Sequence, residues 1–140
     1  MSEIVIGITF GSFDLLHAGH VSMLEQCKKQ CNWLIVGLQT DPTIDRPTKN
    51  KPIQTTFERY VQLNALRSVD EIIPYDTEAD LRNMISILNV NKRFIGSEYK
   101  GTVLNSEDIC ITRGIEIVYI DRTHGYSSSE LRKRIENESH

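Results

Sequence analysis

The sequence has few cysteines, no long apolar run and no excess of positive charge. Cys27, Cys31 and Cys110 are an odd number, and the first two lie four residues apart on a predicted helix. Buried thiols explain them better than a metal pair, so we expect a reducing, cytoplasmic location. No segment approaches the roughly 20 apolar residues of a membrane span, and from residues 1–3 we expect no signal peptide. A net charge of −3 argues against a general nucleic-acid or membrane-surface binder.

The chain does contain regularly alternating strand and helix patterns. Strands are predicted at residues 4–8, 33–38, 71–74, 93–96 and 115–120, and helices at 21–30, 55–68, 77–88, before Gly114, and at 130–136. Three capping boxes mark helix starts: Thr55-x-x-Glu58, Thr77-x-x-Asp80 and Ser127-x-x-Glu130. The pattern predicts one α/β domain, 1–140, with a doubly wound five-stranded parallel sheet and helices on both faces.

Three polar segments follow predicted strands, and in a parallel sheet they leave the same edge. They are residues 11–20, 96–101 and 122–128. Ligands of open α/β sheets bind at this carboxyl edge. His17 and His20 lie where the first strand gives way to a helix, whose N-terminus favours an anion. A long polar loop, 43–54, carries Lys49 and Lys51 and is long enough to be functional.

These segments offer imidazoles, hydroxyls, an arginine and lysines, but no cysteine nucleophile with a histidine partner. They have no carboxylate cluster with metal spacing, and His17 and His20 lack an obvious third ligand for zinc. Such a set suits stabilisation of charge on phosphorus, where catalysis is mainly positioning and electrostatics. A phosphomonoester, with a second pKa of about 6, is dianionic near pH 7 and needs no general base. We therefore expect this edge to hold the phosphates of a nucleoside triphosphate.

Two motifs resemble the small cytidylyltransferases, most closely the glycerol-3-phosphate cytidylyltransferases. They are Gly11-x-Phe13-Asp14-x-x-His17-x-Gly19-His20 and Arg122-Thr123-x-Gly125-x-Ser127, and the resemblance covers essentially the whole chain. It implies a Rossmann-like homodimer that uses CTP with Mg²⁺. In that family the phosphate of a small phosphorylated alcohol, here expected to be glycerol 3-phosphate, attacks the α-phosphate of CTP. Pyrophosphate leaves, and a CDP-linked product forms.

The resemblance also implies roles for individual residues. His17, His20 and Arg122, with Lys49 or Lys51, would stabilise charge on the reacting phosphates. Nucleotide contacts are expected from Phe10, Gly11, Ser12, Phe13, Gly19, Glu98, Thr123, Gly125, Tyr126, Ser127 and Ser128. Acceptor contacts are expected from Asp41, Arg59, Tyr99 and Lys100, although Arg59 could instead pair with a neighbour on its helix surface. Asp14 is expected to hold the turn together without touching phosphate.

The loop after the fourth strand leaves two alternatives open. Ser97, Glu98 and Tyr99, followed by Lys100, stand where glycerol-phosphate enzymes usually carry two acids and a tryptophan. This loop, and residues 17–22, also resemble heptose-phosphate adenylyltransferases, which use ATP and a sugar phosphate. Those enzymes generally lack the Arg-Thr-x-Gly-x-Ser element, so CTP is the expected nucleotide. Lys100 predicts an acceptor with a further polar or anionic group, and a nucleotide-binding module without catalysis is the third alternative.

Overall fold

A computed structural model of the chain describes residues 3–122 and 127–138, without the side chain of Ser128. Five strands and five helices alternate along the chain. They are β1 (Ile6–Gly11), α1 (Ala18–Lys28), β2 (Trp33–Gln39), α2 (Thr56–Asn64), β3 (Glu71–Tyr75), α3 (Glu78–Ile87), β4 (Lys92–Gly96), α4 (Glu107–Arg113), β5 (Glu116–Ile120) and α5 (Ser128–Glu138). The strands form one parallel sheet in the order β3-β2-β1-β4-β5. The chain is therefore a Rossmann-like α/β fold, as the sequence predicts.

The order of the strands places β1 at the centre and reverses the winding between β1 and β4. Ligands of such sheets bind at this switch point, beyond the carboxyl ends of the strands. The core has one layer on each face of the sheet, because side chains alternate along every strand. Leu34, Val36 and Leu38 of β2 pack with Leu24 of α1, whereas Ile35 packs on the opposite face. Burial of each such leucine contributes about 1.5–3 kcal/mol.

The capping boxes at Thr55 and Thr77 are confirmed by hydrogen bonds. The hydroxyl groups of Thr55 and Thr77 accept the N–H groups of Glu58 and Asp80, whose carboxylates accept the threonine N–H groups in return. These hydrogen bonds satisfy N–H groups that would otherwise lack partners at the helix start. At α5, the hydroxyl of Ser127 likewise accepts the N–H of Glu130.

The boundaries differ from prediction around the first turn and at the end of α2, which stops at Asn64, four residues before its predicted end. β1 continues to Gly11, three residues beyond its predicted end, and α1 begins at Ala18, three residues before its predicted start. The early start has a physical cause, since the side chain of His17 caps the helix. Within the predicted polar loops the structure also has two short 3-10 turns, Pro42–Ile44 and Ser97–Tyr99.

The cysteines are free thiols, as predicted, but Cys31 is only half-buried where the sequence predicts a buried thiol. Cys27 and Cys110 are buried, and burial raises the pKa of the Cys27 thiol to about 12, so it stays protonated at neutral pH. Among the described residues, no helix combines the length and apolar character needed to cross a bilayer.

Candidate active site

Two adjoining cavities open at the carboxyl edge of the sheet. The first, of about 340 Å³, lies between α1 and the segment after β5, and its lining includes His17, Gly19 and Arg122. The second, of about 500 Å³, lies over the ends of β1, β2 and β4. His20, Met23, Gly96 and Glu98 line both cavities. Since they share these residues, the two cavities form one cleft with His20 at the junction.

The histidine pair is itself the N-terminal cap of α1. Nδ1 of His17 accepts the N–H of Gly19 at 2.9 Å, and Nδ1 of His20 accepts the N–H of His17 at 3.2 Å. The two rings lie 4.1 Å apart between centroids. A neutral imidazole that accepts through Nδ1 carries its proton on Nε2. Both histidines are therefore held as Nε2–H donors beside the first cavity.

His20 is neutral at physiological pH. Burial, with smaller contributions from His17 and Arg122, lowers its pKa to about 4, while Asp14 acts in the opposite direction. The ring of Phe13 packs against it, with centroids 5.6 Å apart. Neutral His20 can thus accept the N–H of His17 through Nδ1 and donate a hydrogen bond to a phosphate oxygen through Nε2.

The turn before the histidines is strained and is held by Asp14. Phe13 and Leu15 both have left-handed backbone conformations, with φ of 50° and 52°, at a cost of about 1–3 kcal/mol each. The Asp14 carboxylate accepts the N–H groups of Ile53 and Gln54, and it pairs with Arg132 of α5 at 2.9 Å. Asp14 therefore joins the turn, the end of the long loop and the C-terminal helix.

Arg59 is part of the protein interior and does not make the acceptor contact expected for it. Its side chain is buried, with 1% exposed. All five of its N–H groups donate within the protein, to four backbone carbonyls and one hydroxyl: Ser12, Gln39, Thr40, Gln54 and Thr56. No donor remains for an acceptor phosphate. Nor does Arg59 pair on the helix surface, because its side chain points inward to the ends of β1 and β2.

The two loop lysines lie in different places. Lys49 lines the second cavity, whereas Lys51 lines a separate shallow groove with Ile53 and Arg132. The structure therefore brings Lys49, and not Lys51, to the cleft that contains His20.

Of the residues expected to contact the acceptor, only some line the cleft. Tyr99 lines the second cavity. Asp41 is outside the lining of both cavities and caps a 3-10 turn, accepting the N–H and hydroxyl of Thr43, which lower its pKa. Lys100 is also outside both linings, with its ammonium group 5.9 Å from the ring centroid of Tyr119.

The expected nucleotide contacts divide between the two cavities. Gly19, Ser127, Arg122 and Glu98 line the first, and Phe10, Gly11, Ser12 and Phe13 line the second. Arg122 and Glu98 approach to 3.5 Å but are half exposed, so this pair is weak. Thr123, Gly125 and Tyr126, and the side chain of Ser128, lie outside the described residues.

Several residues of the cleft are missed by the sequence motifs. Arg93, Arg46, Gln39 and Glu78 line the second cavity. One sequence signal was available for Arg93, which is a charged residue at the start of an apolar strand. Nothing local to Arg46, Gln39 or Glu78 distinguishes them from ordinary surface residues.

The family follows from a match over nearly the whole chain. The model of a family described as cytidylyltransferase-like matches residues 8–134, which include the cleft and every strand beyond the first two residues of β1. The chain belongs to the cytidylyltransferase-like family. This match covers both motifs on which the resemblance rests.

The cytidylyltransferase-like chain has curated relatives that share about a third of its residues. It is 34% identical over 135 residues to the bifunctional protein HldE of Granulibacter bethesdensis and 36% identical over 132 residues to that of Hyphomonas neptunium. Each match covers 94% of this chain and 27% of the relative. The chain thus spans about a quarter of the length of the curated relatives it matches.

Solved structures support the fold of this cytidylyltransferase-like chain. A lipopolysaccharide core biosynthesis protein from Thermoplasma volcanium superposes with a TM-score of 0.68 at 22% identity, covering 89% of this chain and 100% of the other. A pantoate-beta-alanine ligase from Francisella tularensis gives a TM-score of 0.61 at 18% identity, covering 99% of this chain and 70% of the other. At these identities the likeness concerns the fold alone.

Proposed function

We propose that this chain transfers a nucleoside monophosphate from a nucleoside triphosphate to a sugar phosphate, with ATP as the nucleotide. The observation that carries the proposal is the histidine pair, held as two Nε2–H donors, with His17 lining the first cavity and His20 lying where the two cavities join. The HldE relatives and the resemblance of loop 96–101 to heptose-phosphate adenylyltransferases favour ATP and a sugar phosphate over CTP and glycerol 3-phosphate.

The reaction is an in-line displacement at the α-phosphorus. An oxygen of the acceptor phosphate attacks it, the bond to the oxygen bridging the α- and β-phosphorus breaks, and pyrophosphate leaves with that oxygen. The Nε2–H groups of His17 and His20 donate to the phosphate oxygens on which charge develops, and Arg122 adds a cation from the opposite wall of the first cavity. A dianionic acceptor phosphate needs no general base.

A magnesium ion fits this cleft only as a partner of the triphosphate. The described residues contain no group of three or more His, Cys, Asp or Glu side chains that could hold a metal ion. Mg²⁺ commonly binds through one or two carboxylates together with substrate phosphates, and Glu98 and Asp121 in the first cavity provide carboxylates. When bound, Mg²⁺ supplies neutralisation of phosphate charge.

Use of CTP with glycerol 3-phosphate is the second candidate. Arg122 and Ser127, which belong to the element that resembles the cytidylyltransferases, both line the first cavity. The homodimer implied by that family also stays a proposal, supported by exposed Phe57 and Val61 on α2 beside the edge strand β3. Analytical ultracentrifugation tests it.

The test is release of pyrophosphate from ATP or CTP with a panel of phosphates that contains glucose 1-phosphate, mannose 1-phosphate and glycerol 3-phosphate. We expect ATP with a sugar phosphate to be the best pair. His17→Ala should lower kcat by about 10² or more, as for loss of one transition-state donor. Lys29→Gln, an exposed change at the other end of α1, is the control.

Three outcomes separate the candidates. Preference for CTP and glycerol 3-phosphate supports the second candidate. Nucleotide binding without pyrophosphate release for any acceptor indicates a binding module without catalysis. A kcat of His17→Ala within a few fold of wild type contradicts the role given to the histidine pair.

A further inference from the structure

The second cavity contains a buried cation that the proposed transfer does not use. Arg93 of β4 lines this cavity and is 4% exposed. Its Nη1 donates to the backbone carbonyl of Asn105, and its guanidinium lies 5.4 Å from the centroid of the Phe10 ring. Its Nε is buried without a hydrogen-bond partner.

The other charges of the cavity do not neutralise Arg93. Two carboxylates line it: Glu78 lies 3.1 Å from Nε of Arg46, and Glu98 lies 3.5 Å from Arg122. Among the described residues, Arg93 has no ion pair. A buried charge without a counter-charge is costly, and a buried donor without an acceptor costs about 1–3 kcal/mol.

The comparison with Arg59 shows what a purely structural arginine looks like in this fold. Arg59 is equally buried, but each of its five N–H groups has an acceptor within the protein. Arg93 has one hydrogen bond to an oxygen, a side-chain hydrogen bond with the Cys110 thiol, and a cavity in front of it. The Phe10 ring, packed edge-on against Tyr75 with centroids 5.7 Å apart, holds the guanidinium in place.

A second cation without an ion pair lies in the same cavity. Lys49 is exposed on the long loop and also has no ion pair among the described residues. Arg93, in contrast, is three residues before Gly96 at the end of β4, about 10 Å down the strand. The two cations are therefore at different depths, so one phosphate at the reacting edge does not account for both.

We propose that the acceptor carries two anionic groups, the phosphate that attacks and a second carboxylate or phosphate, and that Arg93 binds the second. The inference rests on the proposed function, because it takes the occupant of the second cavity to be the acceptor. It defines the acceptor class as a phosphorylated sugar acid or a sugar bisphosphate. A guanidinium suits this role, since it binds either oxyanion with two parallel hydrogen bonds.

The test measures binding by calorimetry, without nucleotide and without turnover. The probes are glucose 1-phosphate, glucuronic acid 1-phosphate and glucose 1,6-bisphosphate, which differ only in the group at carbon 6. We expect wild type to bind the better of the two doubly anionic probes at least tenfold more tightly than glucose 1-phosphate. The probe that binds more tightly than glucose 1-phosphate shows whether the second group is a carboxylate or a phosphate.

Arg93→Gln should abolish this preference, whereas Lys92→Gln should keep it. Lys92 is the matched control because it loses the same charge one residue earlier on β4, on the opposite face of the sheet and outside the cavity. ATP affinity checks that Arg93→Gln retains the first cavity. If Arg93→Gln does not fold, Arg93→Lys is used, and its preference should fall at least threefold because an ammonium lacks the two-pronged geometry.

Lack of preference in wild type overturns the inference, and so does a preference that survives in Arg93→Gln or is undiminished in Arg93→Lys. These results are separable from failure of the proposed function. A tenfold preference without any pyrophosphate release supports the Arg93 site and contradicts the transfer. Transfer to glucose 1-phosphate without a preference supports the transfer and contradicts the Arg93 site.

Discussion

Replacement of His20 by glutamine should change how the stability of the protein depends on pH. In the folded protein burial, with a further contribution from His17, lowers the pKa of His20 to about 4, against 6.5 ordinarily. Between these values the unfolded chain binds a proton that the native state does not bind. The free energy of unfolding must therefore fall as the pH falls through this window. Above about pH 7 the effect is absent, because His20 is neutral in both states.

The size of the effect follows from the two pKa values. Linkage gives a loss of about 2 kcal/mol by pH 5, approaching at most about 3 kcal/mol near pH 4. Other groups also titrate here, including Asp41 and Asp108, whose pKa values are lowered by hydrogen bonds from Thr43 and Arg82. Their contributions are common to wild type and His20→Gln and cancel in the comparison.

The assay is urea denaturation of both proteins at pH 7.5 and pH 5.0. Wild type should lose about 2 kcal/mol more than His20→Gln between these two values. Glutamine is chosen because its amide can still accept the N–H of His17 and present a donor to the cavity. Equal losses in the two proteins would mean that folding does not lower the pKa of His20, so that its ring is as open to protonation in the native state as in the unfolded chain. The burial that keeps His20 a neutral Nε2–H donor below about pH 6.5 would then be refuted.

Three further predictions concern residues that the site brings together. Asp14→Asn should speed hydrogen exchange of α5 and lower the transfer rate at least tenfold, because the Arg132 pair is lost; unchanged exchange contradicts the link. Arg59→Gln should lower the free energy of unfolding by at least about 3 kcal/mol in urea titrations, since several buried carbonyls lose their donor at about 1–3 kcal/mol each; an effect on acceptor KM alone would restore the binding role. Lys49→Gln should lower kcat/KM about 10- to 100-fold and Lys51→Gln less than twofold, and a reversed order assigns the contact to Lys51.

The strands and most helix starts could be predicted because their signals are local. An apolar run, a threonine and an acid three residues later are enough to place a strand or a capped helix. The start of α1 could not be placed in this way, since its cap is made by His17 and His20. Histidine is not among the usual capping residues, so the motif by itself predicts a binding element and not a helix cap.

The contacts of the site differ in how far apart their two residues lie along the chain. The hydrogen bond from the N–H of His17 to Nδ1 of His20 joins residues only three positions apart in the chain. Their place at a strand end follows from the motif. The pair of Asp14 with Arg132 spans 118 residues, and no local pattern contains it. The choice between Lys49 and Lys51 depends on the path of a loop, which composition does not determine. Sequence therefore located the cleft but not the contacts that hold it together.

The hydrogen-bond partners of the two buried arginines distinguish their roles, which the positions of these residues in the sequence do not. The sequence predicts a ligand contact for Arg59, on a helix next to the long loop, and no role for Arg93, in an apolar strand. In the structure, Arg59 has an acceptor for every donor, so a phosphate would have to displace a bond inside the protein. Arg93 keeps an unpartnered Nε and an unpaired charge at a cavity wall, so an oxyanion would complete it. If so, the second cavity selects acceptors by charge at both ends, and the identity of the acceptor is decided at β4, away from the histidines that perform the transfer.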